Sequence, residues 1–337
     1  MSQLSTGLLG LCAPDFVGAG PWLNSPPLRL AELRGKVVLV DFWTYSCVNC
    51  LRQMPCLRRW HSLYGDLGLV VVGVHTPEFE FERSLPNVSR FVRERGIPYP
   101  VVLDNGRRLW KAYANRYWPH EYLLDARGRI RYDHAGEGAY AQAEMAIREL
   151  LAEASPGLQL PPLEHPEELV QPGPCAPATP DLYCGRQRGR LGNPGGYRSD
   201  EPWGYQAPDE LEPGLLYLSG PWEARAEHVR HARPGGHPPD FAAVGYQAFE
   251  VDAVLGLEGG GEGRVLLTRD GRPLPPEIAS RDVAAEGQIS YLTVREPRLY
   301  NLVRDHVYGS HLLRLHPMGN RVELYTISFG ACVGDVD

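Results

Sequence analysis

The chain has 337 residues, 43% of them apolar and 22% charged, with a net charge of −7. That length exceeds one ordinary core and predicts two domains, while the apolar content excludes broad disorder. The acidic balance argues against a nucleic-acid face, which needs clustered Lys and Arg. No apolar run approaches the roughly 18 residues that a membrane span requires.

In chain order, residues 1–36 read as an irregular lead-in with a short strand pair around Leu28-Arg29-Leu30. The mildly apolar run at 7–13 has no preceding Lys or Arg and stops at Pro14-Asp15, a poor secretory signal. Bulky Leu11 before Cys12 also makes a weak lipoprotein site, so a cytoplasmic location is the default expectation.

Val37-Val38-Leu39-Val40-Asp41-Phe42-Trp43 is a β-branched apolar run and predicts a strand buried on both faces. Leu51, Met54, Leu57, Trp60 and Tyr64 then recur at helical spacing. They predict a helix over 48–64 that contains Pro55 and carries Cys47 and Cys50 at its first turn. A second strand, parallel to the first, is expected over 69–75. The detour Thr76-Pro77-Glu78-Phe79-Glu80-Phe81-Glu82 follows at a strand's carboxyl end, where open α/β sheets keep their sites. Val88, Phe91, Val92 and Arg95 form a helical stripe stopped by Gly96. A third strand (99–103), a helix near 109–113, a hairpin turning at Asp125-Ala126-Arg127-Gly128 and an amphipathic helix over 139–153 complete a domain spanning 1–155.

Proline and glycine then dominate, marking 156–176 as a linker. From 177 to 337 short alternating runs, such as Val265-Leu266-Leu267-Thr268 and Val322-Glu323-Leu324-Tyr325, are separated by turns such as Asp270-Gly271. This spacing predicts an all-β sandwich. Seven cysteines are an odd count. Cys12, Cys56 and Cys332 read as isolated small hydrophobes, and Cys175 with Cys184 forms a candidate pair in a loop-rich stretch.

Two cysteines three residues apart at a helix N-terminus meet unpaired N–H groups and positive dipole charge, which favour a thiolate. Zinc is the rival use of that spacing. It needs two further ligands, and Cys56 and His61 run about 9 Å or more up the same helix. No metal is therefore expected, and His228, His231, His306, His311 and His316 likewise show no firm ligand spacing. Access from the loop makes Cys47 the attacking sulfur and Cys50 the resolving one. Asp41, inside an apolar run, is the candidate base. A peroxidase is the rival enzyme reading, on Thr44-x-x-Cys47, although Val40 stands where that signature has proline.

Asp41 lies six residues before Cys47, Trp43 four before it, and Pro55 five after Cys50. With Ala13-Pro14-Asp15-Phe16 and Leu33-Arg34-Gly35-Lys36-Val37, this resembles the thioredoxin superfamily, in its TlpA/ResA-like redoxin branch. Trp43-Thr44-Tyr45-Ser46-Cys47, His75-Thr76-Pro77-Glu78-Phe79, Tyr117-Trp118-Pro119 and Arg298-Leu299-Tyr300-Asn301-Leu302 extend the likeness along nearly the whole chain, to the soluble part of DipZ-type thiol-disulfide proteins. The resemblance implies a thioredoxin-like α/β domain followed by a jelly-roll, carbohydrate-binding-module-like β-sandwich. It implies a thiol-disulfide oxidoreductase with no cofactor beyond the Cys47–Cys50 disulfide, acting on protein substrates and served by an upstream electron donor. Pro119 would be cis against the cysteines, with Trp118 and Pro119 contacting substrate. Trp43 and Tyr45 are further substrate-contacting candidates that either rim the site or pack, Trp43 reading as a wall residue. Glu78 is a further candidate, either for moving protons or raising the thiol pKa, or as a solvated loop acid beside Glu80 and Glu82. Gln53 replaces the glutamate that ResA-like proteins carry three residues after the second cysteine, so a proton-handling role there is expected to be lost. The competing reading is a glycan- or partner-binding protein whose redoxin half is a scaffold.

Overall fold

The computed structural model describes residues 7–163, 174–198, 201–234 and 239–332. These fall into two units, one on each side of 164–173. Part of the expected linker lies outside the described residues. Its first part is held down, because Arg148 Nη1 donates to the Pro161 carbonyl at 2.7 Å.

The first unit runs β1 (Trp22–Leu23), β2 (Val37–Trp43), α1 (Val48–Tyr64), β3 (Leu69–His75), α2 (Leu85–Glu94), β4 (Val101–Leu103), α3 (Arg108–Ala112), β5 (His120–Leu124), β6 (Ile130–Ala135) and α4 (Tyr140–Ala154). Its sheet has the order β1-β4-β3-β2-β5-β6, with β2, β3 and β4 parallel and β5 and β6 antiparallel. β2 is central and every one of its residues is buried. Val38, Val40 and Phe42 meet Trp110, Tyr113, Tyr122 and Leu124 on one face, and the alternation of a strand turns Leu39, Asp41 and Trp43 to the other. Pro55 lies inside α1 without ending it, and Leu57, Trp60 and Tyr64 are almost wholly buried along that helix.

The expected strand pair near Leu28 is not formed. The Asp15 carboxylate takes the Leu30 N–H at 2.9 Å, satisfying locally what a ladder would have used. The edge pairing is made instead by Trp22 and Leu23 against Val102 and Val101.

The second unit is all-β: β7 (Leu182–Tyr183), β8 (Trp203–Tyr205), β9 (Leu216–Ala224), β10 (Val229–His231), β11 (Phe241–Leu257), β12 (Gly263–Arg269), β13 (Arg272–Pro273), β14 (Val283–Glu286), β15 (Ile289–Val294), β16 (Arg298–Pro317) and β17 (Val322–Gly330). β11 and β16 pair along most of their length, with register shifts at Ala248/Glu250 and Val251/Asp252 that let both strands bend. The first half of β11 pairs β9, the second half pairs β17, and β10 joins β9 to β17. The sheet thereby doubles over a single core holding Trp222, Tyr246, Val251, Leu292 and Leu313. The stretch 179–183 is part of it: Thr179 exchanges hydrogen bonds with Gln247, and β7 pairs β17.

The cysteine expectation is corrected here. Cys175 is bonded to Cys332, 157 residues away, and Cys184 is a free, buried thiol. Backbone pairing decides the partner. Cys175 and Cys332 face each other in an antiparallel bridge, whereas Cys184 is turned into the core. Cys332 is thus not an isolated hydrophobe, nor is Cys12, which is exposed.

Candidate active site

β2 ends at Trp43, and Thr44-Tyr45-Ser46 leads to Cys47, the N-cap residue of α1, in extended backbone (φ −84°, ψ 115°). Cys47 Sγ accepts the Cys50 N–H at 3.3 Å, and the Cys47 carbonyl accepts from Leu51 at 3.1 Å. The sulfur therefore takes up one of the N–H groups that a helix start leaves unpaired. Cys47 is half-buried and Cys50 is covered, both as free thiols. Burial, reinforced by the neighbouring Cys47 sulfur, holds the Cys50 thiol well above its usual pKa.

Beneath the cysteines are two buried acids. Asp41 on β2 is 2% exposed, and Glu121, its register partner on β5, is also 2% exposed. Gln53 on α1 donates from Nε2 to Asp41 Oδ1 at 3.1 Å and to Glu121 Oε1 at 2.8 Å. Burial pushes the Asp41 pKa up to about 8, against some relief from Gln53. Burial, with the Asp41 charge adding to it, raises Glu121 well above the ordinary carboxylate range. Position 53 is therefore a joint between two acids. Glu121 was legible in principle, since it is a second carboxylate in a strand of otherwise core-forming residues, two places past Pro119.

A second polar cluster supports the turn before Cys47. Ser46 Oγ donates to Glu82 Oε1 at 2.5 Å, and the Glu78 and Phe79 N–H groups donate to Glu82 Oε2 at 2.5 and 2.9 Å. Glu82 lies in a 3-10 turn (Glu80–Arg83) and is fully buried, and burial, with the nearby Glu78 charge, raises its pKa to about 7. The buried acid of the detour is thus Glu82 and not Glu78, which is only half-buried. His75 Nε2 lies 3.3 Å from Thr44 Oγ1, and burial lowers the His75 pKa to about 3, so its ring is neutral.

Trp43 and Tyr45, expected in the substrate-contacting set, are packed inside. Trp43 lies edge-on to His75, and Tyr45 stacks on His75 at 5.7 Å and leans on Phe91. Trp43 belongs to a central strand, and Tyr45 is drawn under the detour by Phe81 and Phe91, so both are wall residues. The exposed aromatic here is Tyr117. The Trp118–Pro119 peptide is cis. Since His120 pairs Phe42, Pro119 is level with the end of β2 where the turn to Cys47 begins. Trp118 is half-buried, its Nε1 donates to the Thr76 carbonyl at 3.0 Å, and its ring lies 4.1 Å from that of Trp110.

Residues 9–133 match the AhpC/TSA family and residues 179–330 the thioredoxin-like C-terminal domain family. Protein DipZ of Mycobacterium bovis is 40% identical over 268 residues, which cover 77% of this chain and 37% of DipZ. The chain thus spans little more than a third of that curated relative. Thiol-disulfide oxidoreductase YkuV of Bacillus subtilis is 31% identical over 140 residues, covering 42% of this chain and 94% of YkuV. Thiol-disulfide oxidoreductase ResA of Geobacillus thermodenitrificans is 30% identical over 123 residues, covering 36% of this chain and 67% of ResA.

Proposed function

Because the chain belongs to the TlpA/ResA-like branch of thioredoxin-like redoxins, we propose that it is a thiol-disulfide oxidoreductase working through Cys47 and Cys50. The observation that carries this reading is the pairing of a half-buried Cys47 at a helix N-terminus with a covered Cys50 one turn on, above a buried acid on the central strand. The Cys47 thiolate attacks a substrate disulfide and forms a mixed disulfide, and one substrate sulfur leaves. Cys50 loses its proton toward Asp41 and attacks Cys47, releasing the second substrate sulfur. The substrate gains two electrons, and the enzyme disulfide awaits an external dithiol donor.

The client is taken to be a protein segment lying along Tyr117, Trp118 and Pro119. Exposed Tyr117 and half-buried Trp118 offer apolar contact there, and the carbonyl of Trp118 offers a hydrogen bond to an extended chain.

The Cys175–Cys332 bond is at odds with the cytoplasmic expectation, since structural disulfides persist in oxidising compartments. An extracytoplasmic site of action is proposed instead. A glycan role for the all-β unit has one supporting observation. Arg198, Trp203, Tyr205 and Gln206 line a cavity of 360 Å³, and Trp203 is 50% exposed.

Reduction of a protein disulfide by the full chain tests the main reading. Cys47→Ser should abolish it, and Cys50→Ser should stall at a mixed disulfide on Cys47. Reduction undiminished in Cys47→Ser would refute the reading. So would an inert wild type whose glycan binding ignores that substitution.

A further inference from the structure

We infer that Glu121 shares a proton with Asp41 across Gln53, and that this pair of acids, rather than Asp41 alone, receives the proton that Cys50 surrenders when it resolves the mixed disulfide. The inference rests on the oxidoreductase reading above and names how its second step is driven.

The geometry is that of one site with two acids. Asp41 and Glu121 are register partners on adjacent antiparallel strands, so their side chains leave the same face of the sheet. A primary amide nitrogen carries two hydrogens, and Gln53 Nε2 directs one to each carboxyl. Cys50 precedes Gln53 by three residues on α1, which puts thiol and amide on one side of that helix. The other groups around the acids are Tyr99 before β4, His134 and Tyr132 on β6, and Tyr140 on α4. Of these, His134 is the register partner of Glu121, and burial holds it below its usual pKa. Among the described residues neither acid has a cationic partner. Two adjacent carboxylates cannot both ionise in so dry a place, so they retain a proton between them. Glutamine suits the joint because it is neutral and donates twice. A glutamate at 53 would add a third acid, and a methionine would leave both carboxyls without a donor.

The proton and electron count closes. Cys47 attack breaks the substrate S–S bond, and the departing sulfur takes a proton from solvent. Cys50 then gives its proton to the Asp41–Glu121 pair and bonds to Cys47. The second substrate sulfur leaves and takes a proton in turn, the pair returning what it received. Two thiols of the enzyme become one disulfide, and one substrate disulfide becomes two thiols. Glu121 acts here through Asp41 and Gln53, as a positioning residue.

The test uses a symmetric aromatic disulfide whose thiol is coloured, with the reduced full chain in single turnover. One thiol is released when Cys47 attacks and a second when Cys50 resolves, so the two steps are read separately across pH. Glu121→Gln is expected to leave the first release unchanged and to slow the second about tenfold at neutral pH. Its second-step pH profile should lose one inflexion relative to wild type, and Glu121→Asp should restore it. An identical second-step profile in Glu121→Gln would overturn the inference, as would equal slowing of both steps, the mark of a merely structural role. Should that variant not fold, Gln53→Met must slow the second release, and an unchanged second release would overturn the inference. A wild type with no first release would overturn the oxidoreductase reading itself, a different failure from a normal first step followed by an unaltered second.

Discussion

Replacing Asp41 by Asn should stabilise the first unit while impairing its chemistry. The ordinary carboxyl value is 3.8 and the folded value about 8. Between them the unfolded chain releases a proton that the folded chain keeps. Stability from this group is therefore complete below pH 3.8 and is lost progressively as pH rises to about 8. At pH 7 the gap is about 3 pH units, which at about 1.4 kcal/mol per unit amounts to about 4 kcal/mol. Asparagine keeps the shape and can still accept from Gln53, so it escapes that cost. Hydrogen exchange of the 37–43 peptide in rising urea, on the reduced full chain, reports the opening energy of β2. The variant's advantage should grow by about 1.4 kcal/mol per pH unit from pH 5 to 8 and then level off. A variant no more stable than wild type at pH 8, or an advantage indifferent to pH, would refute the claim that burial raises this carboxyl's pKa.

Other outcomes follow from the same structure. Cys332→Ala opens a loop of 157 residues and should cost the all-β unit about 3–5 kcal/mol, read as a lower urea midpoint that reductant reproduces in wild type and leaves unchanged in the variant. Ser46→Ala removes a donor from fully buried Glu82 and should cost about 1–3 kcal/mol. That loss should shrink in a Glu82→Gln background, and equal losses in both would deny the coupling. His75 is neutral in the fold, with a pKa near 3 against 6.5. The unfolded chain binds the extra proton, so stability should fall as pH drops below 6.5, and His75→Gln should flatten that acid limb in urea titrations.

The redoxin half was legible because its signals are local. An unbroken apolar strand, helical spacing after two cysteines and a carboxylate at a fixed offset each act within a few residues. The site's second acid was not legible in the same way. Glu121 follows Cys50 by 71 positions in the sequence, and only the β2–β5 register brings it to Asp41. Gln53 shows the related limit. Read along the helix, it is a lost glutamate. Read across the sheet, it is the amide that satisfies two buried carboxyls. Glu78 and Glu82 are alike as residues of an acidic loop, and the choice between them is made by the turn that aims Glu82 back at the Glu78 and Phe79 N–H groups. Trp43 and Tyr45 could by sequence either rim the site or pack, and the fold packs them: Trp43 lies on a central strand against Phe91 of α2, and Tyr45 is covered by Phe81 of the detour and by Phe91. The disulfide was missed for the same reason as Glu121, since its partners are brought together by backbone pairing and not by proximity along the chain.

Mass spectrometry of the full chain equilibrated in graded dithiol–disulfide buffers, followed by mixing with a disulfide-bonded protein, puts the matter most directly. A Cys47–Cys50 bond should form and be lost in a single two-electron transition, and the reduced form should convert one substrate disulfide per chain while regenerating that bond. Cysteines 47 and 50 that remain thiols throughout, or a bond between them that forms without any substrate being reduced, would contradict it.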